Sequence, residues 1–113
     1  MLKYLAIALL ASASVVAGSA ESNADETGLA VIHSWVKTKG KTCFRSHNHY
    51  GRGSGPTQSQ ARAEAIKSWI WLTSLEYGNS WGSYRLAVGK GMQCARDGAV
   101  WNCDTQARPC RKD

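Results

Sequence analysis

Between Thr27 and Ala63 the sequence carries Lys37, Lys39, Lys41, Arg45 and Arg52, with no Asp or Glu among them. Trp35 lies in the same stretch. Cations interleaved with an indole suit sugar rings, nucleobases and anionic polymers, because the ring offers a stacking surface and the cations meet the charge. Five cations on five anionic groups would make such binding steeply salt-dependent. The competing reading of the same residues is an edge strand kept soluble by its lysines.

Other groupings are weaker. His47 and His49 form an HxH pair that His33 could approach across two strands, a set able to bind zinc, copper or nickel. No nearby carboxylate orients the rings, so the sequence predicts no metal site. The letters HNH at 47–49 do not make an HNH nuclease motif, which places its histidines far apart in sequence. The run GRGSGPT leads toward a helix start, where backbone amides favour an anion, but it matches no nucleotide-binding pattern. Glu64 and Glu76 project about 120° apart on one helix and cannot act as an acid–base pair. No GxSxG elbow marks a nucleophilic serine. The expectation is a non-enzymatic protein without a cofactor.

Four cysteines, Cys43, Cys94, Cys103 and Cys110, fit a disulfide framework with three possible pairings. Their spacing contains no CxxC pair, which argues against structural zinc. The run CARDGAVWNC, residues 94–103, reads as a hairpin turning at Asp97-Gly98, with Cys94 facing Trp101. In that register Cys94 and Cys103 could bridge diagonally or tie separately to Cys43 and Cys110. Pro109-Cys110 reads as a tail being fastened down.

The elements that must position these residues follow from periodicity and punctuation. Residues 29–37 alternate with β-branched content and predict a strand; TCFRSH predicts its partner across a three-residue Lys39-Gly40-Lys41 loop. That register sets Val36 against Phe44 and Trp35 against Arg45. The glycine-rich NHYGRGSGP predicts a loop. Thr57 with Gln60 makes a capping box, and Gly78 stops a helix over 58–77. Its apolar arc contains Ala65, Ile66, Trp69, Ile70, Leu72, Thr73 and Tyr77. Trp71 and Leu75 fall on the polar side, where an exposed apolar pair marks a partner surface or a site of self-association.

Met1 to Ala20 reads as a signal peptide: a basic start, a short apolar run and small residues at Gly18-Ser19-Ala20. Residues 21–28 read as a disordered acidic leader, and 29–113 as one domain. From Thr27 onward thirteen Lys/Arg stand against five Asp/Glu, which favours acidic partners. The predicted architecture is a disulfide-stapled α+β domain in ββαββ order, one antiparallel sheet on one helix, with no integral membrane segment after cleavage. The expected protein is secreted or periplasmic and binds an anionic polymer or surface of the cell envelope: a glycan, lipid headgroups or nucleic acid. The alternative is a protein–protein module, such as a periplasmic hydrolase inhibitor or assembly partner, acting through Trp71 and Leu75.

Overall fold

The central helix, α2 (Gln58–Tyr77), begins where the sequence places it. Thr57 is extended and its side chain accepts the Gln60 amide at 3.1 Å. The buried side of α2 is narrower than the predicted arc. Only Ala61, Ala65, Trp69, Thr73 and Tyr77 are buried, while Ile70 and Leu72 are each 38% exposed. The helix lies directly on a strand with three glycines in seven residues; Ala61 and Ala65 meet Gly51 and Gly53, while the larger Trp69, Thr73 and Tyr77 are buried toward its C-terminal end.

That strand is β3 (His49–Gly55), which the glycine content had suggested to be a loop. A Cβ at Gly51 or Gly53 would overlap the backbone of Ala65. The glycines serve close approach rather than flexibility. β3 pairs with β5 (Val100–Arg108), and β5 with β4 (Val88–Asp97), giving an antiparallel sheet in the order β3-β5-β4. The β4–β5 hairpin sets Cys94 against Cys103 and Arg96 against Trp101, so the predicted Cys94–Trp101 pairing shifts by two residues. Asp97 pairs with Val100, and the turn is Gly98-Ala99 with Gly98 at φ 61°. A positive φ at the first central position alone is the II′ arrangement, matched to strand twist.

The second sheet contains β1 (Trp35–Thr38), β2 (Lys41–Phe44) and β6 (Cys110–Lys112), in the order β1-β2-β6. The β1–β2 loop is two residues, Lys39-Gly40, not three. Both take positive φ, 45° and 81°, the I′ pattern that a hairpin of this length selects. The shorter loop moves every partner: Trp35 opposes Phe44 and Val36 opposes Cys43. Residues 29–31, predicted as the start of a strand, lie in a single helical turn, α1 (Gly28–Val31), and only the end of the predicted strand is extended.

The fold is therefore α+β with two three-stranded sheets, and the predicted ββαββ order becomes three strands, α2, then three more. Pro109 joins β5 to β6, and with it the two sheets. It lacks an amide hydrogen, which ends one ladder, while its carbonyl accepts the Phe44 amide at 3.0 Å in the other. Each sheet carries one cross-strand disulfide, Cys94–Cys103 in the first and Cys43–Cys110 in the second.

The computed structural model describes residues 25–113, so the predicted signal peptide and residues 21–24 lie outside it. Residues 25–28 are not a disordered leader, since they seal the end of α2. The Thr27 amide donates to the Tyr77 carbonyl at 3.0 Å and its hydroxyl to the Glu76 carbonyl at 2.6 Å. The Ser80 amide in turn donates to the Asp25 carbonyl. Carbonyls that a helix end leaves unpaired thus find partners here. Gly78, at φ 104°, is pressed against Asp25 and Glu26. Beneath this junction Phe44, Tyr77, Trp81 and Ala30 form an aromatic core, with Trp35 at its margin.

Candidate functional site

The five predicted anion-binding cations do not form one face. Lys37 is committed to Asp113, Nζ to Oδ1 at 2.8 Å. Hydrogen bonds from Lys37 and Thr42 hold the Asp113 carboxyl below the usual carboxylate range. Lys39 is exposed at the hairpin tip. Lys41 donates to the Leu86 carbonyl at 2.7 Å. Arg45 is exposed at the far end of β2, where its carbonyl accepts from Arg108. Arg52 lies on the other sheet, paired with Asp104 at 2.7 Å. That carboxylate holds the Arg52 guanidinium above its ordinary value.

Trp35 does meet a guanidinium, but not that of Arg45. Its indole donates to the Ala30 carbonyl at 3.0 Å, and Arg111 lies over its ring at 5.0 Å. Arg111 also lies 5.5 Å from the ring centre of Trp81. β6 brings this residue in, since Thr42 opposes Arg111 and Lys41 opposes Lys112. A cleft of about 400 Å³ beside β6 is lined by Arg111, Lys112, Arg85, Ser80, Ser83 and Leu86. Among the described residues no carboxylate lines it, although Glu26 meets Arg111 Nε at 3.5 Å. The cations of this cleft are therefore Arg85, Arg111 and Lys112, and Lys41 reaches it at the Leu86 carbonyl.

Sequence reasoning missed Arg111 and Lys112 because nothing local indicates that β6 pairs with β2. The usable signal was Arg111-Lys112 directly after a cysteine. Had Cys110 been paired with Cys43, both cations would have fallen beside the hairpin.

Trp71 and Leu75 are 65% and 55% exposed. Among the described residues neither 25–28 nor the Trp81 turn covers them: the first caps the end of α2 and Trp81 is buried in the aromatic core. Leu72 lies one turn from Leu75 and shares a shallow depression with Tyr50, which is 62% exposed. Four apolar or aromatic side chains thus extend along one flank of α2.

The three histidines surround one ring. His33, His47 and His49 lie 5.2, 6.2 and 5.3 Å from Tyr77, centre to centre. His33 stacks on Phe44, and His49 spans Glu76 and Thr73 at 2.8 and 3.0 Å. Among the described residues no three His, Cys, Asp or Glu side chains are grouped to hold a metal ion. The Tyr77 hydroxyl is buried, and burial pushes its pKa up to about 12, with the Glu76 carboxylate adding repulsion. Glu64 pairs with Lys67 and Glu76 with His49, so the two carboxylates serve separate ion pairs. Gly53, within the GRGSGPT run, lies buried under α2.

No family model, curated protein or solved structure matches the chain.

Proposed function

We propose that this is an exported, non-catalytic binding protein whose basic end engages an anionic polymer of the cell envelope. The observation that carries the reading is the β2–β6 register, which sets Lys41 against Lys112 and Arg111 beside them. Two lysines facing each other cost stability, and the arrangement is relieved when an anion lies between them. Arg85 adds a further cation across the cleft. Export supports the reading, because two disulfides suit an oxidising compartment. Among the described residues no helix is long and apolar enough to cross a membrane.

The test is retention of the oxidised protein on a polyanion column. A variant with Lys39, Lys41, Arg85 and Lys112 changed to serine is run beside one with Arg45, Arg52, Arg62 and Lys67 changed to serine. Retention lost in the first and largely kept in the second supports the reading. Equal losses reduce it to net charge alone, and the proposal fails.

A second reading rests on the exposed flank of α2. Trp71, Leu75, Leu72 and Tyr50 form an apolar surface suited to a protein partner or a second copy of the chain. Such a contact survives salt that dissolves a polyanion complex. A salt-resistant complex lost on Trp71→Ser would favour it.

A further inference from the structure

We propose that Arg111 is the specific anchor of the basic cleft and takes a phosphate monoester carried on a sugar. The inference rests on the polyanion reading above and narrows it to one subsite and one ligand class. Arg111 lies over two indoles that pack on each other, 5.0 Å from Trp35 and 5.5 Å from Trp81, whose ring centres are 5.3 Å apart. Cation–π contact restrains a guanidinium without consuming its N–H donors. Glu26 approaches Nε at 3.5 Å, and with Lys37 and Thr42 the Arg111 charge helps hold the nearby Asp113 carboxyl below its ordinary value. Nε is buried without a hydrogen-bond partner among the described residues.

An arginine immobilised in this way has already lost the rotamer freedom that binding an oxyanion would otherwise remove. Its planar fork matches two oxygens of a phosphate, a fit that an ammonium group cannot reproduce. The neighbours complete the set. Lys112 and Arg85 supply charge for a dianion, and Ser80 and Ser83 supply hydroxyls. The cleft, at about 400 Å³, has room for a sugar as well as the ester. On its other side Arg111 borders a second depression with Trp35 and Lys37, where an indole edge is available to the sugar.

The experiment is a titration of the oxidised protein with glucose 1-phosphate, followed through the indole N–H resonances of Trp35 and Trp81. Inorganic phosphate, sulfate and acetate are run in parallel. Glucose 1-phosphate is expected to shift both resonances, more strongly than sulfate and with acetate inert. Arg111→Lys keeps the charge and is expected to weaken binding about tenfold, as loss of a bidentate contact does. Glu26→Gln removes a competing carboxylate and is expected to tighten it. Arg52→Ser, the same loss of charge on the other sheet, should change it less than about twofold.

No shift of either indole up to about 10 mM, a range that captures millimolar affinity, overturns the proposal. So does equal weakening by Arg111→Lys and Arg52→Ser. If Arg111→Lys does not fold, Arg85→Ser with Lys112→Ser takes its place, and unchanged affinity there is equally fatal. Glucose 1-phosphate failing while column retention still depends on Lys39, Lys41 and Lys112 rejects the subsite and leaves the polyanion reading standing. Loss of the column result rejects the broader reading instead.

Discussion

Lys41 and Lys112 oppose each other across two paired strands, and the Lys41 ammonium donates to the Leu86 carbonyl. A domain optimised for stability alone would place opposite charges there. Lys112→Glu is therefore expected to raise stability by roughly 0.2–1 kcal/mol, the range of a cross-strand ion pair, while lowering polyanion retention. Thermal melts and column elution measured on one preparation would show the two moving in opposite directions. A fall in both would mean that the lysine pair is structural.

Gly53 and Ala65 are in direct backbone contact between β3 and α2. Gly53→Ala is expected to destabilise by about 3 kcal/mol or more, because neither backbone can yield without lifting the helix. The same substitution at Gly89, where nothing lies within 4 Å, meets only the strain of φ 63° and is expected to cost about 1–2 kcal/mol. Urea titrations of the two variants would separate crowding from backbone strain.

Tyr77 gives the alkaline limb its shape. Its pKa rises from 10.0 to about 12 in the folded state, so the folded protein holds its proton over a range where the unfolded chain releases it. The stabilisation is complete below pH 10 and is lost as pH rises from 10 through about 12. Tyr77→Phe also removes a buried hydroxyl that has no hydrogen-bond partner among the described residues. It is expected to match or exceed the parent at pH 7 and to melt less readily at pH 11. Melting curves at both values check this.

The two disulfides close very different loops, 67 residues for Cys43–Cys110 and 9 for Cys94–Cys103. On the chain-entropy account the long loop contributes about 4 kcal/mol and the short one about 2.5. Replacing Cys43 and Cys110 by alanine is expected to lower the midpoint more than replacing Cys94 and Cys103. Denaturant titration of the two double variants measures the difference.

What the sequence revealed follows the range of the interactions involved. The helix 58–77, its Thr57–Gln60 cap and its stop at Gly78 are set by neighbours within four residues, and all are found. The two hairpins were legible as hairpins, yet both registers moved, because a loop shorter or displaced by one residue reassigns every facing pair. β3 was hidden because its glycines answer to Ala61 and Ala65, residues on another element. The same distance effect split the basic set. Lys37, Lys39 and Lys41 are local to one hairpin, but Arg111 and Lys112 join them only through a pairing across 67 residues. Trp71 and Leu75 were readable because their exposure depends on helical phase alone.

The passage of the chain through Pro109 has a mechanical consequence. β5 and β6 form one nearly continuous run from Val100 to Lys112 that is a member of both sheets, with a disulfide anchoring it on either side of the proline. Neither sheet can come apart without loading the other through that shared run. Unfolding should therefore be a single cooperative event, and a load applied at the basic end by a bound polymer would be carried along this run to the sheet beneath α2.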